Sequence, residues 1–404
     1  MGVAFATAGA RSIESAQSGR WSEPATWRGE KLPAGGDDVV IRQGHEVIYD
    51  VHSAAVIREI RVSGELVFTR DRDTELNIAV VKVGRGAGSG VEDVHDHQAP
   101  AREHGRRMAR FEVGTPARPI PPGVTARIRL HYLEGLDEDE APVLTCRPGG
   151  RMDFHGAPMS RTWLDLGADV EPGDTKVTLA EAVRGWRAGD QVIVTASERG
   201  LEHGDGEPAT EERRIAAVDG ASLVLDAPLV QPHSGSGDFR SEVANLSRNV
   251  IVESADPDGV RGHTMHHRHG AGSISYARFA HLGKEGVLGR YPIHFHLCRD
   301  SLRGESVVGA AVVDSDNRWV TVHNTHYMVV RDCVGYGSIG HGFFLEDGTE
   351  VYNVFDRNLG VGARDGRRLP DQALPFDPND GAAFWWANGR NSFVRNTACE
   401  NETY

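Results

Sequence analysis

The absence of helical periodicity constrains the fold of this chain more than any other feature of its sequence. Apolar residues form short runs of four to seven, such as Asp38–Arg42, Glu46–Tyr49, Glu65–Phe68 and Leu76–Val81, and Gly, Asn and Asp separate the runs. Short apolar runs between turn-forming residues are typical of β-strands. The sequence therefore predicts an all-β protein.

Three apolar segments in the last third of the chain recur at a regular spacing. They are Pro292–Leu297, Trp319–Asn324 and His341–Glu346. A repeat of about 20 to 27 residues favours a solenoid. Aligning the first two segments places His296 over His323, and successive coils of a parallel β-helix stack about 4.8 Å apart. We therefore expect the two imidazoles to be neighbours. A β-sandwich stays open, although the two-residue turns of its hairpins are not evident between these segments.

Composition excludes several classes of protein. The 404 residues carry a formal net charge of −14, which is not the basic footprint of a nucleic-acid binder. No apolar run approaches the roughly 18 residues of a transmembrane helix. Four cysteines without C-x-x-C spacing argue against a zinc ribbon or a thioredoxin-like motif. The first residues show no signal-peptide pattern, so the sequence alone leaves the compartment open.

The chain divides into three β-rich segments after an N-terminal tail, residues 1–18. The first segment covers residues 19–160 and contains a polar insertion at about 90–122, where His95 and His97 are expected on the surface. A connecting β segment covers residues 161–248. The candidate coil array occupies residues 249–404.

Several blocks of sequence resemble known families. The blocks that resemble the G-eight domain, named for its eight glycines, are Trp21–Trp27, Leu32–Asp38, Ile60–Phe68 and Gly149–Gly156. A second set of blocks is similar to a hyaluronidase family, whose members are the cell migration-inducing and hyaluronan-binding protein and its relative transmembrane protein 2. These blocks are Arg240–Asn249, Gly289–Leu297, Asp332–Gly348 and Ala383–Asn388.

This resemblance implies a fold and an activity. The fold is a right-handed parallel β-helix behind an N-terminal G-eight domain, and the family pattern continues past Tyr404, so we expect a truncated helix. The activity is calcium-dependent depolymerisation of hyaluronan or another acidic polysaccharide, by hydrolysis, in a secreted or cell-surface protein. The chain lacks the large insertion that the vertebrate proteins carry between their first two segments.

The strongest chemical signal is a group of histidines. His294 and His296 are two residues apart on a predicted strand, so their side chains share the outward face. With His323 on the next coil, three imidazoles would converge, which suits a transition-metal site or proton transfer near neutral pH. The alternative is that these histidines hydrogen-bond to neighbouring turns. The residues of the same strand expected to point inward are Ile293, Phe295 and Leu297.

His341, Glu346 and Asp347 are the candidates that would complete an acid–base set. Glycoside hydrolysis needs a carboxylic acid and a carboxylate, whereas elimination from a uronide needs a base and a cation. The residues alone leave open a hydrolase, a polysaccharide lyase, a metal-dependent oxidoreductase and a non-catalytic glycan-binding protein. A structural alternative for Asp347 is a turn that it caps ahead of Gly348.

Four further residues are predicted to bind the substrate. Arg290 can bind a carboxylate through two hydrogen bonds, and Tyr291 can stack on a sugar. Lys284 lies on the preceding turn, and of the adjacent Trp385 and Trp386 one must point inward, so we expect Trp386 to contact the glycan. The dense histidine segment His263–His269 suggests either metal binding or an exposed loop, and we favour the loop.

Overall fold

The computed structural model describes residues 11–84, 108–197, 209–370 and 372–403. Part of the predicted polar insertion, with His95 and His97, lies outside the described residues. The strands are numbered in chain order and form three parallel ladders and one antiparallel sheet.

The first ladder has its strands in chain order, each hydrogen-bonded to the next. They are β1 (Ser12–Glu14), β3 (Asp38–Ile41), β5 (His52–Val62), β7 (Thr74–Val83), β10 (Val143–Cys146), β19 (His263–His267), β22 (Ile293–Arg299), β25 (Val320–Thr325), β28 (Phe343–Leu345) and β31 (Phe384–Trp385).

The other two ladders follow the same order along the axis. The second contains β2 (Gly19–Arg20), β4 (Glu46–Tyr49), β6 (Glu65–Phe68), β8 (Ala109–Val113), β11 (Gly150–His155), β20 (Ile274–Ser275), β23 (Ser306–Val308), β26 (Val329–Arg331), β29 (Val354–Asp356) and β32 (Ser392–Val394). The third runs from β7 through β9 (Ala126–Leu130), β18 (Val250–Ser254), β21 (Ala277–Ala280), β24 (Ala311–Ser315), β27 (Val334–Ile339), β30 (Leu359–Arg364) and β33 (Thr397–Cys399).

These ladders form a parallel β-helix, since successive coils stack their strands in parallel and, from β7 onward, supply all three faces, and the predicted fold class is confirmed. Two short 3₁₀ turns, Pro24–Thr26 and Arg28–Glu30, are the helical segments among the described residues. Within that same part of the chain, no helix is long and apolar enough to cross a membrane.

An antiparallel sheet interrupts the β-helix between β11 and β18. Its strands are β12 (Trp163–Asp165), β13 (Lys176–Thr178), β14 (Gln191–Val194), β15 (Glu211–Asp219), β16 (Ser222–Leu225) and β17 (Glu242–Asn245). The first ladder continues across this insertion, because Val143 of β10 pairs directly with His263 of β19.

The interior of the β-helix is an apolar column with an aromatic stack in its first half. Five neighbouring ring pairs along that column have centroids 4.9–6.1 Å apart. The rings, in order, belong to Trp21, Tyr49, Phe68, Phe111, Phe154 and Phe279. Each such contact adds about 0.5–1.5 kcal/mol beyond the burial of apolar area. Stacking of equivalent positions therefore stabilises one coil on the next.

Asparagine side chains join the turns of the last coils. The Asn353 Nδ2 atom donates to Asn391 Oδ1 at 3.0 Å, and Asn358 Nδ2 donates to Asn396 Oδ1 at 2.9 Å. Asn353 and Asn358 also accept hydrogen bonds from backbone N–H groups of the coil before them. These amides satisfy buried backbone donors that a turn would otherwise leave unpaired.

The predicted register of the histidine strand is confirmed at its centre and needs correction at its end. His296 pairs with His323, and Ile293 and Phe295 are fully buried in the core. Leu297 does not point into the core, because it adopts a positive φ of 55° and the register shifts after His296, so Cys298 enters the core instead.

The histidine segment that we expected to be an exposed loop is strand β19. His263 and His266 are buried in it. The His266 ring stacks on Phe295 with centroids 4.9 Å apart, and its Nε2 atom lies 3.0 Å from the Met152 carbonyl oxygen. The loop was expected because a Gly-rich turn follows this segment, but pairing with β10 and β22 places it in the first ladder.

Candidate functional site

A row of acid–base side chains runs along the outward face of the first ladder. His267 pairs with His296, which pairs with His323, and Glu346 follows on the next coil because Leu345 pairs with Val322. Ring centroids are 5.1 Å apart for His267 and His296 and 4.7 Å apart for His296 and His323. Alternation along each strand places these residues outward.

Three side chains of this row converge with His294 into what we term the histidine–glutamate cluster: His294, His296, His323 and Glu346. The Nδ1 atoms of His296 and His323 are 3.1 Å apart. The Glu346 Oε2 atom lies 3.3 Å from His323 Nδ1 and 3.6 Å from His294 Nε2. Among the described residues, the three histidines are the one group of three or more His, Cys, Asp or Glu side chains whose ligand atoms all lie within 4.8 Å of one another.

Contacts outside the cluster fix the orientation of two of the rings. His294 Nδ1 lies 3.0 Å from the Gly289 carbonyl oxygen. A carbonyl only accepts hydrogen bonds, so this nitrogen carries the proton and the Nε2 lone pair faces Glu346. On the other side, His323 Nε2 lies 3.3 Å from Asp347 Oδ2, which leaves Nδ1 directed at the cluster.

Burial and neighbouring charge give the three histidines different protonation. Burial lowers the pKa of His294 well below its ordinary value and that of His296 to about 2, with the neighbouring histidines acting in the same direction. Burial acts on His323 as well, but the carboxylates of Glu346 and Asp347 outweigh it and raise its pKa to about 9. His294 and His296 are therefore neutral at neutral pH, and His323 holds the positive charge.

A buried charge network lies behind the cluster. The Tyr291 hydroxyl donates to Glu346 Oε1 at 3.0 Å and accepts from Arg318 NH1 at 2.9 Å. Arg318 NH2 donates to Asp377 Oδ2 at 3.3 Å, and its guanidinium carbon lies 3.4 Å from the centroid of the Phe344 ring. Arg318 is fully buried, as is Tyr291. The network therefore places one buried cation between two buried carboxylates.

His341 joins this network from the far side and is not part of the cluster. Its Nε2–H donates to Asp377 Oδ1 at 2.7 Å, and its Nδ1 atom accepts from the Ala382 backbone N–H at 3.0 Å. The ring is fully buried and stacks against Phe344 and Trp385. Both ring nitrogens are occupied by protein groups, so neither is free for the acid–base role that we expected.

Asp347 is at the accessible edge of the site. Its side chain and that of His323 are each 17% exposed, compared with 0% for His294 and 4% for Glu346. Burial alone would raise the pKa of Asp347, but its hydrogen bonds to His323, Glu350 and Thr349 lower it below the ordinary value. The turn expected from the sequence is also present, because Thr349 N donates to Asp347 Oδ1 at 2.8 Å.

Arg290 and Lys284 both contact a neighbouring loop. The Arg290 guanidinium donates to the Asp139 carbonyl oxygen at 2.9 Å and pairs with the Glu140 carboxylate. Lys284 is buried and donates to the Ala141 carbonyl oxygen at 2.9 Å, and burial lowers its pKa to about 8. Both side chains are therefore engaged by this loop, and their contacts with a glycan stay a prediction.

The two aromatic candidates differ from each other in exposure. The Tyr291 ring has no exposed face on which a sugar can stack, and its hydroxyl instead positions Glu346. Trp386 is 45% exposed, but its ring stacks at 4.1 Å on Phe393, which is itself stacked on Phe355 of the core. Trp386 therefore extends the interior aromatic packing.

Arg318 and Asp377 are the site residues that the sequence reasoning missed. Arg318 precedes the apolar strand β25 as Arg290 precedes β22, and that parallel placement was an available signal. Asp377 lies in the segment between β30 and β31, where no periodicity marks it.

The site residues do not fit the calcium that the resemblance implies. Calcium takes about six to eight oxygen ligands, whereas the cluster offers three imidazole nitrogens and the carboxylate of Glu346. Imidazole with one carboxylate is a ligand set that suits zinc, iron, nickel or copper.

The fold and this row define a parallel β-helix protein with an outward histidine–carboxylate site. Comparison with known families makes the assignment specific. The G8 domain model, which is the G-eight domain, matches residues 26–167, and the CEMIP beta-helix model matches residues 259–404. Two separate parts of the chain therefore match the G8 domain and the CEMIP beta-helix models, and the resemblance noted in the sequence is confirmed.

The curated relatives align with between about half and nearly all of the chain. Human Fibrocystin-L is 28% identical over 437 aligned positions, which cover 95% of this chain and 10% of that protein. Communication mutant protein F of Dictyostelium discoideum is 25% identical and covers 94% and 34%. Human Cell surface hyaluronidase CEMIP2 is 28% identical over 275 positions, covering 56% and 18%. The chain thus spans about a tenth to a third of the length of these relatives.

Among solved structures, the tailspike protein gp49 from Pseudomonas phage LKA1 aligns with 80% of this chain and 49% of that chain. The identity is 12% and the TM-score is 0.24, so this alignment supports no conclusion about function.

Proposed function

We propose that this chain cleaves an acidic polysaccharide by hydrolysis, with the glycan lying across His323 and Asp347 on the first ladder. The observation that carries this proposal is the accessible His323–Asp347 pair at the edge of a buried charge network. The name of the relative Cell surface hyaluronidase CEMIP2 supports an acidic glycan as substrate. It also supports a secreted or cell-surface location for this chain.

The chemistry of the pair suits cleavage of a glycosidic bond. Hydrolysis requires a group that supplies a proton and a carboxylate that assists water or stabilises the sugar cation. Asp347, with its lowered pKa, stays ionised, and the proton of His323 Nε2 faces it across 3.3 Å. We assign the carboxylate role to Asp347, and His323 Nε2–H, which lies 3.3 Å from its Oδ2 atom, orients that carboxylate.

The buried residues act on this pair indirectly. Glu346 contributes to the raised pKa of His323, and Tyr291 and Arg318 hold Glu346 in place. His341 and Asp377 support Arg318 from behind. We therefore assign positioning roles to these residues.

The test is to incubate the chain with a panel of acidic and neutral polysaccharides and to measure product masses. Hydrolysis predicts shortened products that have each gained one water. Products with an unsaturated uronide end would overturn hydrolysis and identify a lyase. Glycans that are bound but never shortened would identify a non-catalytic glycan-binding protein.

A further inference from the structure

The histidine–glutamate cluster contains buried polar atoms that have no hydrogen-bond partner. His294 Nε2 and Glu346 Oε2 are both without one, although their side chains are 0% and 4% exposed. These two atoms face each other at 3.6 Å. A buried acceptor without a donor costs about 1–3 kcal/mol. One cation between two acceptors that face each other would stabilise both.

The remaining cluster atoms point at the same place. His323 Nδ1 lies 3.3 Å from Glu346 Oε2 and 3.1 Å from His296 Nδ1. A single proton between the two histidine nitrogens satisfies that one contact and leaves His294 Nε2 unpaired. One cation at the centre would satisfy all four groups.

Each anchored ring is held as metal-bound histidines are held. In metal sites the second ring nitrogen usually donates to a backbone carbonyl or a carboxylate, which fixes the ring and its tautomer. His294 Nδ1 meets the Gly289 carbonyl oxygen at 3.0 Å, and His323 Nε2 meets Asp347 Oδ2 at 3.3 Å. One ring thus has the carbonyl partner and another has the carboxylate partner.

We propose that His294, His296, His323 and Glu346 bind one divalent first-row transition-metal ion, with zinc as the ion that best fits three imidazoles and a carboxylate. Four protein ligands in an enclosed position are typical of a zinc ion that organises structure. The ion would hold Glu346 and His323 in place while the Nε2–H contact of His323 with Asp347 remains.

Cobalt(II) is the spectroscopic probe for this site, because it replaces zinc and absorbs visible light when bound in a four-coordinate site. The chain, first treated with chelator, is titrated with cobalt(II) and then with zinc, and thermal unfolding is followed in parallel. We expect one cobalt ion per chain with a visible band, its displacement by zinc, and a rise in Tm with either ion. Excess calcium should leave the band unchanged.

The variants are His296→Gln, which removes a ligand, and His281→Gln as a control. His281 forms a histidine–carboxylate pair with Asp314 at 2.6 Å but is not part of the cluster. We expect His296→Gln to lose the band and the rise in Tm, and His281→Gln to keep both. If His296→Gln does not fold, His323→Gln at the accessible edge serves in its place.

Two results would overturn the proposal. One is a chain that shows no visible cobalt band and no rise in Tm. The other is a cobalt band that survives the loss of His296 or His323, or that calcium displaces. Because the readout is spectroscopic, it does not depend on glycan cleavage, and a metal-binding chain that leaves every glycan intact would refute only the proposed hydrolase.

Discussion

The outward face of the first ladder carries different kinds of side chains in its early and its later coils. In the early coils, oppositely charged residues pair across and along neighbouring strands: Arg58 with Asp38 at 2.5 Å, and Lys82 with Glu59 at 3.2 Å. In the later coils, His267, His296 and His323 occupy successive positions and end at Glu346. The backbone pairing is parallel in both regions.

This difference shows how a solenoid face becomes a site. Opposite charges on adjacent strands neutralise each other in partial contact with water, and such a surface needs no further ligand. Stacked imidazoles present the same lone pairs to one another, and burial removes the water that would satisfy them. The residues that stack on this face therefore decide whether it only stabilises the solenoid or can also bind a ligand.

The largest expected effect is on the rate of glycan cleavage, and it should differ between two aspartate–histidine pairs in the later coils. Asp347→Asn should lower the rate of glycan cleavage by about 10²–10⁴-fold, the usual range for loss of an acid–base group. Asp314→Asn, which removes the exposed partner of His281, should leave the rate unchanged. Initial rates with the best glycan of the panel measure both, and equal losses in the two variants would refute the role of Asp347.

The second expected effect is on stability. Arg318→Met removes the buried cation between Glu346 and Asp377, and loss of one partner of a buried ion pair costs about 3–5 kcal/mol. We expect a fall of that size in the free energy of unfolding, measured by urea denaturation. A change below about 1 kcal/mol, the range of exposed pairs, would show that the two regions do not differ.

The third expected effect is a pH dependence from β19. Burial lowers the pKa of both His263 and His266 below the ordinary value of 6.5. The unfolded chain therefore takes up protons below pH 6.5 that the folded chain does not, so the contribution of these two histidines to stability is complete above that pH and is lost as the pH drops. The expected slope is about 1.4 kcal/mol per pH unit for each histidine. Urea denaturation between pH 7 and pH 5 measures it, and His266→Gln should reduce the slope.

The smallest expected effect is in the early coils. Lys82→Ala removes an ion pair in which the lysine side chain is 32% exposed, and such pairs contribute about 0–1 kcal/mol. We expect a change within that range and no change in glycan cleavage. A larger loss would mean that the early face has a tightly coupled charge network.

The sequence predicted the parts of the site that local periodicity controls. Alternation along β22 and the spacing to β25 were enough to place His296 beside His323. The positive φ of Leu297 has no signal in that alternation, and it changed which residue enters the core. Tyr291 and Asp377 depend on contacts with distant segments, so their burial follows from tertiary packing that no local pattern records.

The antiparallel insertion has a consequence for how the molecule folds. Residues 143 and 263 are neighbours in the first ladder although 120 positions separate them. The entropy of closing a loop rises with its length, so joining β10 to β19 is unfavourable while the intervening chain is unfolded. We expect the antiparallel sheet to form early, because it shortens the effective loop. The two halves of the β-helix would then assemble around it. The pairing of β10 with β19 would govern the rate at which the chain reaches its native state.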